Sequence, residues 1–508
     1  MNRILLFIAL FPSLALAKQP NVIVFFADDL GYGELSCQGN PQIPTPHIDS
    51  IAKNGVRFTS GYVAGPNCSP SRAGLLTGRT PTLFGYEFNP TGPLNENPNF
   101  GLPPKEITIA EALHGGGYTT GLIGKWHQGG TAQYHPHRHG FDEFFGFTHE
   151  GHYFVPPPYK GVTTLLRRKT LPGGMDGRWI GKKNLHYHTW PSDEPDYDAN
   201  NPIIRGGQPV IETEYLTNAL TREAADFIDR HDDKPFFLYL AYNAVHAPAQ
   251  APKEDIARMQ KKFPQLDEKR AILMAMLRHL DLGVGSVVKK LKDEGFWENT
   301  LFFFLTDNGG AKAMNANNGI LRGFKGSLYE GGIRTPWVVS WPAKFSGGRT
   351  IDAPVISLDI LPTVVDAVST KGEGRRMFDG KSLLPLLTGK SVTHHSALYW
   401  NSGEPKGEWA VREGNWKAHG LKQKYELYDL ANDPSEKMNL AAKRPELARR
   451  LAKRHETWLA EMVQSAGKSN ITWPRDRATI EEPKPKGAAR EKKRAERRKA
   501  RQKQNKTK

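Results

Sequence analysis

In NVIVFFADDLGYG, residues 21–33, an apolar run ends directly on two carboxylates. Residues 21–27 are an apolar, β-branched run, which is typical of a strand buried on both faces. Asp28 and Asp29 follow at once, and the glycines after them indicate that the chain leaves the strand in a loop. The sequence therefore predicts two carboxylates at the carboxyl end of a buried strand.

The same arrangement recurs at LFFFLTDNGG, residues 301–310, where 301–305 is predicted as a strand and Asp307 and Asn308 follow it. Further buried strands are predicted at 118–124, 235–244 and 335–342. Helical patterns lie between the strands, at 105–115, 213–230, 268–294 and 357–368. Strands that alternate with helices favour an α/β domain with a mostly parallel sheet, whose ligands gather at the carboxyl ends of the strands.

The pattern of predicted elements changes near residue 391, where short strand-like segments precede a long amphipathic helix at 445–463. This pattern predicts a smaller α+β subdomain. Residues 130–212 lack clear periodicity, as binding loops and disordered insertions do. The predicted organisation is a signal peptide (1–17), a main domain (18–390), a C-terminal subdomain (391–470), and a linker with a basic tail (471–508).

The N-terminus MNRILLFIALFPSLALA combines a basic start, an apolar run and an Ala-x-Ala ending, which indicates a secretory signal peptide cleaved before Lys18. No later stretch approaches the roughly 20 apolar residues of a spanning helix, so no transmembrane segment is expected. A content of 38% hydrophobic and 24% charged residues excludes global disorder, collagen and a membrane protein. We expect an exported protein, periplasmic or extracellular.

The net charge of +16 belongs mostly to residues 484–508, where 13 Lys and Arg against 2 Asp and Glu give +11. Two interpretations remain open for this tail. We favour a solvated helical or disordered segment without a specific partner. The alternative is electrostatic binding to an anionic polymer or surface, and no specific nucleic acid is expected as a partner.

The segment PNCSPSRAGLLTGR, residues 66–79, predicts a helix with Ser69 as its N-cap and Pro70 at its first position. Cys68 would then lie at the positive end of the helix, with Arg72 one turn further in, where an anion is readily held. The plainer interpretation is a structural cysteine before an ordinary helix. Cys37 is the other cysteine, and one disulfide is the default expectation in an oxidising compartment.

Two strand ends together offer three carboxylates and one amide oxygen, from Asp28, Asp29, Asp307 and Asn308. Hard oxygen ligands without His or Cys suit Ca²⁺ or Mg²⁺ rather than zinc. Each pair alone is as well explained by turn and cap chemistry, because Asp and Asn are common there. Both pairs at equivalent topological positions favour a metal site.

Residues 68–79 closely resemble the signature of the type I sulfatases, members of the alkaline phosphatase superfamily. In that family a dedicated enzyme oxidises the cysteine of C-x-P-S-R to Cα-formylglycine, whose hydrated aldehyde is the nucleophile. The resemblance extends over most of residues 20–440, and Gln128 is a small departure where the family often has leucine. It implies an alkaline-phosphatase-like α/β domain and a C-terminal subdomain with an antiparallel sheet. The other matching blocks lie at 27–33, 124–127, 140–146, 243–248, 306–310, 323–326, 330–336, 426–430 and 433–434.

The resemblance also implies roles for individual residues. One Ca²⁺ would be held by Asp28, Asp29, the modified residue 68, Asp307 and Asn308. Arg72 and Lys125 would hold the nucleophile, and Lys325 would bind the sulfate oxygens. His246, with Lys325, matches the family's acid, and His127 matches its base. Because a disulfide at Cys68 would destroy the nucleophile, the resemblance makes Cys37 a free or structural thiol.

The segment after the signature looks most like bacterial N-acetylgalactosamine-6-sulfatase-like enzymes that degrade polysaccharides. This predicts an exported sulfatase acting on galactose- or N-acetylgalactosamine-type sulfated glycans, with a formylglycine-generating enzyme as a partner. One alternative is an arylsulfatase or a phosphate or phosphonate ester hydrolase on the same scaffold. Another is an inert polyanion-binding protein in which Cys68 stays unmodified.

Seven polar residues of the irregular insertion lack support from any family block. They are able to contact substrate hydroxyls, carboxylates or further sulfates, but we favour surface-loop positions for them. These residues are His149, His152, Arg167, Arg168, Lys169, His186 and His188.

Overall fold

The computed structural model describes residues 19–368, 378–403, 406–421 and 424–467. The predicted signal peptide and basic tail lie outside these described residues. Strands within them are β1 (Asn21–Ala27), β2 (Val56–Phe58), β3 (Gly61–Tyr62), β4 (Thr119–Lys125), β5 (Glu143–Phe147), β6 (Val162–Arg168), β7 (Arg178–Lys182), β8 (Leu185–Thr189), β9 (Ile203–Arg205), β10 (Gln208–Val210), β11 (Phe236–Ala241), β12 (Ala249–Pro252), β13 (Thr300–Thr306), β14 (Trp337–Ser340), β15 (Arg349–Ile351), β16 (Val355–Ile356), β17 (Leu398–Asn401), β18 (Glu408–Glu413), β19 (Trp416–Leu421) and β20 (Lys424–Asp429).

The helices connect these strands and cover the sheets. The α-helices are α1 (Pro46–Lys53), α2 (Cys68–Thr77), α3 (Ile109–His114), α4 (Leu216–Arg230), α5 (Lys253–Lys262), α6 (Glu268–Asp293), α7 (Glu330–Ile333), α8 (Ile360–Val368), α9 (Leu384–Leu387) and α10 (Pro445–Gly467). Short 3-10 helices lie at Ser36–Gln38, Pro81–Phe84, Gly92–Glu96, Ala132–Tyr134, Pro136–His139, Pro172–Gly174, Trp297–Asn299, Lys312–Met314 and Ser357–Asp359.

The main sheet has ten strands in the order β10-β9-β5-β4-β11-β1-β13-β14-β2-β15. Its five central strands, from β5 to β13, are all parallel. The order places β1 between β11 and β13, although more than 200 residues separate β1 from either neighbour. The carboxyl ends of these strands therefore meet at one edge, as the sequence predicts for an α/β domain.

Strand β1 is buried on both faces, and its alternating side chains enter two separate cores. Ile23 and Phe25 belong to the core formed with α1, α4 and α6. Val24 and Phe26 belong to the core formed with α2, α3 and α8. The uninterrupted apolar run at 21–27 follows from this double coverage, because neither face of the strand meets water.

Helix α6 is long and apolar enough to cross a membrane by length and composition. However, 72% of its most apolar stretch is buried inside the protein. Leu273, Met276 and Leu280 are fully buried in the same core as Ile23. The helix is therefore apolar because it forms the core of the main domain.

Of the two alternatives for residues 130–212, a disordered insertion is wrong, because this region contains β5 to β10. Strands β5, β9 and β10 extend the main sheet, and β6, β7 and β8 join β12 in a four-stranded sheet. These strands are at most seven residues long, and β6 pairs with β12, which begins at Ala249. The sequence pattern misses them because short, half-buried strands carry little periodicity and their partners are distant in the chain.

The C-terminal sheet is antiparallel, in the order β17-β18-β19-β20, and α10 packs against it. Ala448 and Leu451 of α10 enter the same small core as Val411 and Leu427 of the sheet. The helix predicted at 445–463 is present and continues to Gly467. The predicted fold class, an α/β domain with a smaller α+β subdomain, is confirmed.

A buried ionic network joins this sheet to the main domain. Lys417 of β19 lies between two carboxylates, with Nζ 2.8 Å from Oε1 of Glu330 and 2.9 Å from Oε1 of Glu436. All three side chains are fully buried. Arg334 lies 3.4 Å from the other oxygen of Glu330. Buried charges require such pairing, so the two domains are held in one arrangement by this contact.

Glu408 makes a second connection between the C-terminal sheet and the loop before α7. Its Oε1 accepts hydrogen bonds from the Leu328 amide and from Nε2 of His419, both at 2.8 Å, and Lys406 pairs with Oε2. Burial alone raises the pKa of Glu408, but these donors outweigh it and lower the pKa to about 2. The charged form is therefore favoured in the folded protein.

We expect this depressed pKa to make folding stability depend on acid pH. The stabilisation from Glu408 is fully present above its unfolded pKa near 4.5 and is lost as the pH falls towards 2. Thermal midpoints measured from pH 7 to pH 2.5 check this. The difference between wild type and Glu408→Gln should be constant above pH 5 and shrink below 4.5. The exposed Glu456→Gln serves as the control, and a Glu408→Gln difference that stays constant to pH 2.5 contradicts the assignment.

Candidate active site

Two strand ends bring four polar side chains together at the edge of the main sheet. Asp28 and Asp29 follow β1, and Asp307 and Asn308 follow its neighbour β13. All four residues are at most 2% exposed. The amide of Asp29 donates to Oδ1 of Asp307 at 3.2 Å, which connects the two ends directly. The predicted oxygen-rich cluster therefore exists as a contiguous group.

Helix α2 supplies the cysteine, but its start differs from the predicted one. The helix begins at Cys68 with Asn67 as the N-cap, so the assignment of Ser69 as N-cap is wrong. The Ser69 hydroxyl instead donates to the His127 carbonyl at 2.7 Å, a tertiary contact that no local pattern reveals. Cys68 is the first residue of the helix and is fully buried, so it lies at the positive end as expected.

Arg72 and Lys125 pair with the carboxylates from below the cysteine. Nη2 of Arg72 lies 2.8 Å from Oδ2 of Asp307 and 3.4 Å from Oδ2 of Asp28. Nζ of Lys125 lies 2.6 Å from the same oxygen of Asp28. All of these side chains are fully buried, so the geometry of the group is held rigidly.

Lys325 contacts both the cysteine and the carboxylate cluster. Its Nζ lies 2.7 Å from Oδ1 of Asp29 and 3.1 Å from Sγ of Cys68. Although burial lowers it, the pKa of Lys325 is raised well above 10.5 because Asp29 and the other acidic groups favour the ammonium form. A permanent positive charge therefore lies next to residue 68, where an anionic substrate group is stabilised.

The unmodified thiol of Cys68 is a poor nucleophile in this environment. Burial, followed by the charge of Asp307, raises the pKa of Cys68 to about 12, even though Lys125 and Lys325 oppose the shift. The thiol is thus protonated at neutral pH, and reactivity requires the thiolate. Cys37 and Cys68 are both free, so the default expectation of a disulfide is wrong and the expectation of a free thiol at Cys37 is confirmed.

The two predicted catalytic histidines are neutral and have defined tautomers. Nε2 of His127 donates to the Pro90 carbonyl at 2.8 Å, and its buried Nδ1 has no hydrogen-bond partner among the described residues. Nδ1 of His246 donates to the Ala247 carbonyl at 2.7 Å, and its Nε2 lies 3.8 Å from Asp29. Burial, with nearby lysines, lowers the pKa of both rings well below 6.5. Each histidine therefore keeps one basic nitrogen.

The cluster has the donors that a hard divalent cation requires. Oδ1 of Asn308 is buried without a hydrogen-bond partner among the described residues, while its Nδ2 donates to Asp29 at 2.7 Å. Burial and the charge of Asp307 raise the pKa of Asp28 to about 7. Ligand atoms of Asp28, Asp29, Cys68 and His246 lie within 4.8 Å of one another. A cation would satisfy the orphaned oxygen and relieve the repulsion between the carboxylates.

A cavity of about 600 Å³ opens above the cysteine. Most of its lining residues carry hydrogen-bonding side chains, and Pro93, Leu94 and Pro195 add apolar surface. The sequence analysis did not identify Glu150 and Tyr197, because neither belongs to a motif. Asn89 lies in the segment that follows the signature. The lining consists of Cys68, Asn89, Thr91, Gly92, Pro93, Leu94, Glu150, Arg167, Ser192, Asp193, Pro195, Tyr197, His246 and Lys325.

The surface-loop expectation for the insertion is wrong for Arg167, His149, His152 and His186. Arg167 lines the cavity and is oriented by Glu194, with Nη2 2.6 Å from its Oε1. The three histidines are at most 7% exposed. Arg168 and Lys169 are exposed and His188 is half-buried, as expected for surface positions.

The sulfatase family matches residues 20–370, which are more than half of the chain. The chain belongs to the type I sulfatases of the alkaline phosphatase superfamily. This sulfatase also matches the family of N-sulphoglucosamine sulphohydrolase C-terminal domains over residues 324–463. Its activity is therefore that of a sulfuric ester hydrolase.

Individual relatives support the same assignment. Human arylsulfatase A is 34% identical over 470 residues, which are 86% of each chain. Dog N-acetylgalactosamine-6-sulfatase is 32% identical over 412 residues, which are 79% of this sulfatase and 72% of the relative. The crystal structure of Ps i-CgsB in complex with k-i-k-neocarrahexaose is 34% identical, has a TM-score of 0.75, and is covered over 93% of its chain and 87% of this one.

Proposed function

We propose that this sulfatase is exported and removes sulfate from carbohydrates, specifically galactose- or N-acetylgalactosamine-type sulfated glycans. The observation that carries the proposal is the set of hydrogen-bonding side chains that line the cavity above Cys68, among them Asn89, Glu150 and Asp193. Sugar hydroxyls need such partners when they are bound in a cavity. The cavity volume of about 600 Å³ lies in the usual range for small-molecule sites.

The names of two relatives support the sugar type. Dog N-acetylgalactosamine-6-sulfatase is named for an N-acetylgalactosamine substrate, and Ps i-CgsB was crystallised with a neocarrahexaose. Both are more than 30% identical to this sulfatase. In this proposal the partners are the sulfated glycan, a formylglycine-generating enzyme, and an anionic polymer or surface bound through residues 484–508.

The proposed nucleophile is Cys68 after its conversion to Cα-formylglycine, and the proposed metal is one Ca²⁺ held by the oxygen cluster and residue 68. When bound, Ca²⁺ supplies Lewis acidity to the nucleophile and to a sulfate oxygen. Lys325 binds the sulfate oxygens, since its ammonium lies beside residue 68. Arg72 and Lys125 fix the carboxylates and add positive charge beneath the reacting group.

Proton transfer follows from the protonation states in the site. His127 is able to accept a proton at Nδ1, because its Nε2 is occupied by the Pro90 carbonyl. The leaving alkoxide needs a donor. Lys325 carries the proton, while His246 presents an unprotonated Nε2 that is able to receive a hydrogen bond or relay a proton. In this proposal His127 is the base, and Lys325 with His246 is the acid.

Removal of the metal should abolish activity. Asp28, Asp29 and Asp307 repel one another in a buried site, so the cluster is organised for a cation. We expect exhaustive chelation to lower kcat by at least about 100-fold, because the Lewis acid is lost. Added Ca²⁺ should restore kcat, with Mg²⁺ less effective because it demands stricter octahedral geometry. Full activity of demonstrably metal-free protein contradicts the assignment.

Glu150 should determine how the sugar is oriented. Its carboxylate is 7% exposed, lines the cavity, and is fixed by the Asn95 amide at 2.6 Å and the Gly92 amide at 2.7 Å. Glu150→Gln should raise KM for a sulfated oligosaccharide about tenfold, since one charge-assisted hydrogen bond is weakened. KM for a small aryl sulfate should hardly change. Equal effects on both substrates contradict contact with the sugar.

A substrate panel tests the proposal as a whole. We expect kcat/KM to be highest for sulfated galactose or N-acetylgalactosamine oligosaccharides, measured by sulfate release against aryl sulfates and matched phosphate esters. Activity on aryl sulfates alone favours an arylsulfatase, and preference for phosphate esters favours a phosphohydrolase. Binding of sulfated polymer without turnover favours the inert binding protein.

A further inference from the structure

A second group of potential metal ligands lies outside the active site, at the junction of the main domain and the C-terminal sheet. Asp359 ends the 3-10 helix before α8, and His394 and His395 lie in the segment that leads into β17. Ligand atoms of the three side chains all lie within 4.8 Å of one another. None of these residues belongs to the sulfatase site or to the cavity above it.

The carboxylate of Asp359 is fixed in position by two backbone amides. Oδ1 accepts from Lys381 at 2.8 Å, and Oδ2 accepts from Ile356 at 2.9 Å. Each oxygen also faces one imidazole, with Nε2 of His395 2.8 Å from Oδ1 and Nε2 of His394 3.1 Å from Oδ2. The carboxylate is fully buried, so its position does not depend on solvent. Two imidazole nitrogens therefore converge on one preorganised carboxylate.

Hydrogen bonding alone leaves this arrangement incomplete. Nε2 of His394 is buried and has no hydrogen-bond partner in the described part of the chain, although Oδ2 of Asp359 lies within 3.1 Å. The side chains of His394 and His395 are only 5% and 7% exposed, so water does not readily compensate. An unpaired buried nitrogen is costly. A cation between the two nitrogens and the carboxylate would give Nε2 of His394 the partner that it lacks.

We propose that Asp359, His394 and His395 bind one Zn²⁺ ion, which ties the segment entering the C-terminal sheet to the main domain. Two imidazole nitrogens and one carboxylate are a donor set that suits zinc, whereas the active-site cluster is mostly oxygen and suits calcium. Three protein ligands leave the fourth position of a tetrahedral ion for water. The role is structural, because the group does not line the cavity above Cys68.

Zinc binding by the full chain tests this proposal. The protein is stripped of metal, returned to excess Ca²⁺ so that the oxygen cluster is filled, and titrated with Zn²⁺ against a chromophoric chelator. We expect one Zn²⁺ per chain, bound at least about 100-fold more weakly by His394→Gln and by His395→Gln. His114→Gln is the matched control, because His114 pairs with Asp142 at 2.8 Å but has no second imidazole. Zinc should raise the thermal midpoint of wild type and His114→Gln only.

A second measurement needs no variant and guards against misfolding. Co²⁺ added to wild-type protein with an unmodified Cys68 thiol should show ligand-field bands without a thiolate charge-transfer band. A thiolate band would place the metal at Cys68 and overturn the proposal. Failure of wild type to bind Zn²⁺ in the presence of Ca²⁺ would also overturn it, as would equal affinity in wild type and both histidine variants.

Discussion

Cys68→Ala should lower kcat for any sulfate ester by about 10⁴-fold or more, the scale seen when a catalytic nucleophile is removed. The expectation rests on position, since Sγ lies 3.1 Å from Nζ of Lys325 and 3.7 Å from Oδ1 of Asp28, at the base of the cavity. No other cysteine lines this cavity. Rates of sulfate release, with circular dichroism to verify folding, provide the measurement.

Cys37→Ser is the matched control for this experiment, because the sequence contains only these two cysteines. Cys37 is half-buried, packs at the edge of the core, and is hydrogen-bonded through its amide to Asp49. We expect kcat to change less than about twofold, as for a substitution away from the site. Peptide mass spectrometry of residues 58–72 should show that the thiol of residue 68 is replaced by an aldehyde or its hydrate. Full activity of Cys68→Ala, or an unmodified Cys68 in active enzyme, contradicts the proposed nucleophile.

Lys417→Met should cost about 3–5 kcal/mol of folding stability, because it removes one partner of a buried ionic network. Lys417 is the ammonium between Glu330 and Glu436, and no water reaches any of the three side chains. Arg334 still offsets Glu330 after the substitution, so the uncompensated charge falls mainly on Glu436. Burial already raises the pKa of Glu436, and loss of the lysine raises it further. The urea midpoint measured by tryptophan fluorescence reports the change.

Lys424→Met is the control for charge loss, since Lys424 begins the next strand, β20, and is exposed. Its effect should lie within about 0.5 kcal/mol, as for most surface substitutions. The double variant Lys417→Met with Glu436→Gln should recover part of the lost stability, because the unpaired carboxylate becomes neutral. Equal midpoints for Lys417→Met and wild type would show that the network does not hold the two domains together.

Much of the site was predictable from local sequence. The apolar run that ends in Asp28 and Asp29 predicts a buried strand followed by a loop. A strand covered on both faces has no polar positions, so the first polar residues mark its end. The recurrence at Asp307 and Asn308 predicts a second strand end of the same kind. Residue chemistry alone favours hard oxygen ligation, and the segment at 68–79 carries the sulfatase signature. The fold class and the family follow from such continuous segments.

The tertiary structure decided which residues surround the nucleophile. Arg167, Glu150 and Tyr197 reach the cavity from an insertion without a readable pattern, and Ser69 binds the His127 carbonyl instead of capping its own helix. Nothing in the local sequence distinguishes Lys417 from an ordinary lysine in a strand. Its partner Glu330 is 87 residues away in the chain, and only the fold brings the two together. The physical reason is that burial, pairing and pKa depend on neighbours brought close by packing. Residues 21–33 and 66–79 determine which reactive groups are present. Packing across the sheets decides which residues surround those groups.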